Sequence, residues 1–299
     1  MQENSYNYKV LFTLLIFTFF LITRNKEVLE TVSFSISIWK DNLFPTLFPF
    51  FVISNLLIQY GFVEIIGDLF KSNCIYVLFI SLFSGFPSGA INTVNLLNNN
   101  KITLEEANYL LTFTHYANPI FIIGFIGNIL GIRIACIILI SHVLSGLLIG
   151  LIFKPKNSLS KKNIKISNTY NIPIGTAFNK AIKDSLNTIF MLLGIITIFL
   201  IFSCLINTYF NLSSEVSLMI SGILEMTQGI NKLLYLDISL YFKTIITTLF
   251  ISFGGLSVHM QVLSIISLDK IKYKPFLIAR IIHSILAIML VSILYFIIH

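Results

Sequence analysis

Ser84-Gly85-Phe86-Pro87-Ser88-Gly89-Ala90 interrupts one apolar run, and 137 positions later Ser221-Gly222-Ile223-Leu224-Glu225-Met226-Thr227-Gln228-Gly229 interrupts another. In lipid, a broken helix is tolerated only where the freed backbone groups face protein or a water-filled cavity. Two such interruptions at matching places in two halves of a chain point to a solute site near the bilayer midplane.

The solvent inferred for this chain follows from composition. Of 299 residues, 56% are hydrophobic and 11% charged, with a mean hydropathy of +0.88, outside the soluble range. The run 10–23, followed by Arg24-Asn25-Lys26 without a small-residue cleavage pattern, reads as a retained transmembrane helix. Net charge is +7. The basic residues gather in two short loops, Lys154 to Lys165 and Lys270 to Lys274, which the positive-inside rule puts in the cytoplasm. No folded basic domain accompanies them, so nucleic acid is not an expected partner. Cys74, Cys136 and Cys204 lack metal-type spacing and read as small core residues.

A helix needs about 17–25 apolar residues to span a bilayer. Candidates lie at 43–60, 107–129, 132–153, 186–206, 241–267 and 275–298, seven with the N-terminal run. Residues 30–40 read as an interfacial segment around Trp39. Residues 74–97 and 216–234 are better read as re-entrant hairpins than as plain spans. Thr103 and Glu106 fit a capping box that starts a helix. The expected fold is therefore all-α, a polytopic membrane protein of about seven transmembrane helices plus two re-entrant hairpins. Its expected units are an N-terminal helix (1–30), a first repeat (31–153), a basic cytoplasmic linker (154–175) and a second repeat (176–299).

A shift of 137 superposes Ser84-Gly85 on Ser221-Gly222, Phe113 on Phe250 and Ala117-Asn118 on Gly254-Gly255. With the linker cytoplasmic and neither hairpin crossing fully, the helices that open the two halves run in opposite senses. The repeat is then inverted.

An ionisable group inside a span is costly and usually faces a cavity or a partner. Glu225 is the strongest case, either as a coupling-ion ligand or proton-transfer group, or as a charge paired with Arg280 or His283. The other helix-breaking positions are Gly85, Pro87, Gly89, Pro119, Gly222, Gly229, Gly254 and Gly255. Ser84, Ser88 and Asn92 supply hydroxyl and amide groups for an oxygen-rich solute, with half-helix N-termini favouring an anion; packing alone would also use serines. In His115-Tyr116-Ala117-Asn118-Pro119, Pro119 frees the carbonyl four residues earlier and implies a kink with Asn118 lining a cavity; an interhelical hydrogen bond from Asn118 is the plainer reading. Ser257 and Gln261 lie four apart and share a helical face. His142 and His283 read as structural. No zinc, nucleophile-elbow or phosphate-loop motif occurs, and no enzymatic activity is expected.

Leu47-Phe48-Pro49-Phe50-Phe51, the Ser84–Ala90 motif, Phe113-Thr114 with Ala117-Asn118-Pro119, and Phe253-Gly254-Gly255-Leu256-Ser257-Val258 resemble the sporulation integral membrane proteins of the YlbJ type, grouped with the nucleoside-recognition Gate domains. The resemblance runs from about Ser33 onward. It implies a fold similar to concentrative nucleoside transporters and a role in endospore formation, where members are associated with moving dipicolinate. It also implies localisation in the cell membrane or a forespore membrane. This chain is compact around Asp68 to Cys74 compared with typical members.

The expected function is transport or facilitation of a small polar, anionic organic solute, with dipicolinate foremost. No cofactor and no bound metal are expected, and the coupling ion, where there is one, is a proton or sodium. A non-transporting scaffold for spore maturation and a nucleoside transporter are the alternatives. Transport implies a hydrated central cavity lined by Ser88, Asn118, Glu225 and Gln261, whereas a scaffold implies that these residues are buried and mutually paired. Expected partners are the bilayer, the solute, and either further copies of the chain or other sporulation membrane proteins.

Overall fold

The structure, a computed structural model, describes residues 7–70, 73–98, 100–155, 172–267 and 270–298, and among them no strand occurs. Most of the basic linker, 156–171, lies outside the described residues.

Helix α1 (Tyr8–Thr23) is capped by Asn7, whose side chain accepts from Val10 N, and α2 (Asn25–Ile38) follows. The two are bent by 94°. A π-turn over Trp39–Leu43 joins α2 to α3 (Phe44–Gln59), then α4 (Phe62–Phe70) leads to α5 (Asn73–Ser84) and α6 (Ser88–Asn98). Next come α7 (Leu104–Phe113), the short α8 (Pro119–Phe121), a π-turn and α9 (Gly127–Leu130), and then α10 (Ile132–Ile152). Beyond the linker lie α11 (Ile174–Phe210), α12 (Ser214–Leu224), α13 (Met226–Lys232), α14 (Leu240–Phe253), α15 (Gly255–Ile266) and α16 (Tyr273–Ile298).

Local chemistry accounts for the boundaries. The capping box forms: Thr103 Oγ1 accepts from Glu106 N at 3.2 Å while Glu106 Oε2 accepts from Thr103 N at 2.7 Å. Ser213 and Ser239 cap α12 and α14 one way only, each hydroxyl accepting from the N–H three residues on, and so satisfy donors that a helix start leaves free. Gly254, at φ +89°, ends α14 in a left-handed conformation that costs other residues energy.

One order of elements occurs twice: a helix, a two-armed hairpin, an interrupted helix and a continuous helix. These are α3, α5–α6, α7 with α8–α9, and α10 in the first half. In the second they are α11, α12–α13, α14 with α15, and α16. Equivalent helices pack on each other, α3 on α11 and α10 on α16. The first arm of each interrupted helix packs on the continuous helix of the other half, α7 on α16 and α14 on α10. The two breaks are thereby brought to the middle of the molecule.

Among the described residues, four stretches are long and apolar enough to cross a membrane: Ile132–Ile152, Ile174–Phe210, Leu240–Ile266 and Tyr273–Ile298; the bent pair of α1 and α2 makes a fifth if it forms one span. The expected spans at 43–60 and 107–129 fall short for physical reasons. Helix α3 has 16 residues, and the second stretch is unwound between Phe113 and Pro119. The expected span at 186–206 is instead the core of a 37-residue helix, about 55 Å long at 1.5 Å per residue. Residues 30–40 are helical and bury Thr31, Ser35 and Ile38, with Ser35 Oγ 2.8 Å from Thr197 Oγ1 on α11. Trp39 Nε1 donates to Ile189 O at 3.1 Å, and its ring stacks on Phe190. The expected boundary after residue 30 falls inside α2. Of the cysteines, Cys74 is buried but Cys136 is exposed on α10, so it is not the core residue expected.

Candidate functional site

Glu225 stands between α12 and α13 as a single extended residue, φ −145° and ψ 114°. Its carboxylate replaces the missing helical bonds: Oε2 accepts from Thr227 N at 2.8 Å, from Gln228 N at 3.1 Å, and from the Thr227 hydroxyl. An acid at a helix start meets free N–H groups and the positive end of the dipole. Glu225 is 1% exposed, and no acid–base ion pair reaches it among the described residues. The pairing with Arg280 or His283 weighed from the sequence is not formed.

The first hairpin turns differently. Gly85 adopts φ +75°, followed by a cis Phe86–Pro87 bond. Ser88 Oγ donates to Gly85 O at 2.6 Å, and Asn92 Nδ2 to Ser88 O at 2.8 Å. A Cβ on Gly85 would lie 2.7 Å from Asn118 N, so the turn is wedged against the first break.

That break is more than the kink expected at Pro119. Residues 114–118 are fully unwound, because Asn118 starts a new helix: its Oδ1 accepts from Ile120 N at 2.7 Å and Phe121 N at 3.3 Å, with Pro119 at the first helical position. Its Nδ2 donates to Phe83 O of the first hairpin at 3.0 Å. The second break, at Gly254-Gly255, approaches the second hairpin instead. A Cβ on Gly255 would sit 3.2 Å from Met226 N and 3.3 Å from Leu224 O.

Two buried side chains hold the breaks together, each taking one atom from either half. Arg280 on α16 donates through one terminal nitrogen to His115 O at 2.8 Å and through the other to Ser252 O. The carbonyl expected to be freed by Pro119 is thus the one Arg280 takes. On α10, His142 Nε2 accepts from Ala117 N at 3.0 Å, which leaves its Nδ1–H to donate to Ser252 Oγ at 3.2 Å. His283 Nε2 donates to His142 O at 2.9 Å. His142 and His283 are both buried and bonded to groups of other elements. Arg280 is 1% exposed, with its charge against the carbonyl ends of α7 and α14, where the helix dipole is negative. The role of this bracket was missed in the sequence, although a lone arginine within an apolar run was a visible signal.

A central cavity lies where the breaks and the second hairpin meet. Its polar lining is Asn118, Glu225, Thr227, Ser257 and Gln261; Leu47, Phe86, Leu192 and Ile196 are among its apolar walls. Ser257 and Gln261 do share a face. The Ser257 hydroxyl is buried and has no protein partner, a condition that native interiors usually relieve with water or a ligand. The space open to water centres is about 40 Å³, room for a few waters. Ser88 does not join this lining. With Asn92 it faces a second cavity of about 230 Å³ between α3, α6 and α11. Ser84 is buried at 2% exposure and lines neither cavity. Gly222 and Gly229 admit the Phe250 ring between α12 and α13. No group of three metal-ligating side chains occurs among the described residues.

No family model and no solved structure matches the chain. It is similar to the sporulation integral membrane protein YlbJ of Bacillus subtilis (strain 168), 30% identical over 341 aligned positions that cover 95% of this chain and 83% of the relative. The aligned length exceeds the 299 residues of this chain, so the relative carries segments that this chain lacks. Identity at this level and coverage, together with the membrane-length helices, makes this multi-pass membrane protein a member of the YlbJ-type family of sporulation integral membrane proteins.

Proposed function

We propose that the protein is a transporter or facilitator of a small polar, anionic organic solute, with dipicolinate the leading candidate, and that it catalyses no covalent reaction. The observation that carries this reading is the central cavity between the unwound segment 114–118, the turn at Glu225 and the start of α15, with Glu225, Asn118, Ser257 and Gln261 on its wall. Polar groups at mid-helix positions are retained where they serve a solute or ion path. The relative's printed name gives sporulation as the setting, in which a small dicarboxylate is a reasonable cargo. Glu225 would repel a carboxylate unless neutralised by a proton or a bound cation, so its role is the coupling group. Inverted halves are the arrangement we favour, since the same order of elements occurs twice and the positive-inside rule applied to the basic loops supports opposite senses.

The test is uptake by purified protein in liposomes, comparing labelled dipicolinate with uridine under imposed proton and sodium gradients. Gradient-dependent dipicolinate uptake is expected. Uridine uptake alone would replace the substrate class. No uptake of either would favour the scaffold reading, which the small free volume of the central cavity supports.

A further inference from the structure

The second cavity is not an extension of the central one. Both are lined by α3 and α11, but at successive turns. Leu47 and Leu192 face the central cavity, while Asn55 and Asp184 face the other. The eight residues from Leu192 back to Asp184 correspond to about 12 Å along the helix toward the linker. Between the cavities stands the tip of the first hairpin, with Phe86 on the central side and Ser88 on the linker side. Seven of the nine residues around the second cavity are polar, counting Ser54, Asn55, Ser88, Asn92, Asn95, Asp184 and Thr188. Asn55 and Asn92 each engage a protein partner through the amide nitrogen, Ser185 Oγ at 3.1 Å and Ser88 O at 2.8 Å. An amide nitrogen carries two hydrogens, so each keeps one for a guest.

This cavity shares Asp184 with a surface hollow lined by Thr176, Asn179, Lys180 and Lys183. The charges at this mouth are two lysines and one aspartate, a net of +1. Among the described residues, Asp184 is the one charged group on the cavity's own lining and opposes an anion, so the attraction comes from the two lysines that outnumber it at the mouth, where a net positive field raises the local anion concentration.

We propose that the cavity between α3, α6 and α11 is an outer binding site for a small anionic solute. It is distinct from the central cavity and filled from the linker side, with Lys180 and Lys183 drawing the anion in and the amides of Asn55 and Asn92 seating it. The inference rests on the transport reading for its purpose but not for its test.

The test uses a chain with Cys74, Cys136 and Cys204 changed to serine, carrying Asn55→Cys, Asn95→Cys or Gln261→Cys. Each is probed in membrane vesicles with a membrane-impermeant thiol reagent from either side, with Ser158→Cys marking the linker side. Asn95→Cys and Asn55→Cys should react from the linker side, and Gln261→Cys about tenfold more slowly, because thiol reactivity follows exposure. Dipicolinate should slow reaction at the two outer positions. The double change Lys180→Gln, Lys183→Gln should raise the concentration needed for half-protection by about threefold, the scale of a screened surface charge. Asn95 and both lysines are exposed, so these variants spare the core even where Asn55→Cys disturbs packing. Reaction without protection by dipicolinate, or no reaction at either outer position, would overturn the proposal. Protection without any uptake in liposomes would leave the outer site standing and remove the transport reading; uptake without protection would do the reverse.

Discussion

The two hairpins occupy equivalent places in their halves yet turn by different chemistry. The first reverses through backbone freedom, with Gly85 at positive φ and a tip pressed on Asn118. The second reverses at one extended residue whose carboxylate caps the next helix. The first turn is therefore held by shape, and the second by a group that can change its charge or its partner. If a solute site moves, the second is the one with a chemical reason to respond.

Steric changes should separate them most. A Cβ on Gly89 would overlap the Thr114 carbonyl, which is backbone, whereas one on Gly222 would meet the ring of Phe250. Gly89→Ala is expected to lose about 3 kcal/mol or more and to yield little folded protein in detergent. Gly222→Ala should lose less, and a second change, Phe250→Leu, should recover part of its melting temperature but none of that of Gly89→Ala. Equal losses would remove the distinction.

Next in size is the bracket shared by both halves. Arg280→Lys keeps the charge but not the planar fork, so one of the two carbonyls on His115 and Ser252 is left unpaired. A loss of about 1–3 kcal/mol in thermal unfolding follows from an unsatisfied buried acceptor. An unchanged melting temperature would show that the bracket contributes nothing.

Capping comes third. Glu225→Ala removes the acceptor for Thr227 N and Gln228 N and should cost about 1–2 kcal/mol. Glu225→Gln retains an oxygen for those donors, so its stability loss should be smaller while the ion dependence of uptake disappears. Unaltered ion dependence in that variant would exclude Glu225 as the coupling group. Smallest is Ser88→Ala, which deletes the 2.6 Å bond to Gly85 O at about 1 kcal/mol and should leave ion dependence intact.

What could be read from the sequence was local in origin. Gly85, Pro87 and the Gly254-Gly255 pair announce their breaks because positive φ and a missing donor are properties of those residues themselves. Thr103 and Glu106 announced a helix start for the same reason. Glu225 stood out by solvation cost alone; of the expected lining, Asn118, Glu225 and Gln261 reach the central cavity and Ser88 does not, while Ser257 joins it as the face-mate of Gln261. The bracket was not legible, because Arg280 meets His115 across 165 positions and only the packing of α7 on α16 joins them. The early start of α11 was hidden by Lys180, Lys183 and Asp184, charges that delayed the start of the expected span to residue 186. Ala177, Ala181, Ser185 and Ile189 form the buried stripe beneath them at a spacing of four. The division of one expected cavity into two was invisible for a third reason: Phe86 and Ser88 are neighbours in sequence, and the side each one faces is set by the fold.

The sequence contains a single tryptophan. Its indole is bonded to the Ile189 carbonyl of α11, one turn from Leu192 on the central cavity wall. The protein therefore contains an optical reporter of its own. A shift of α11 against α2 would alter the hydrogen bond and ring contacts of Trp39, and hence its emission, with no label attached.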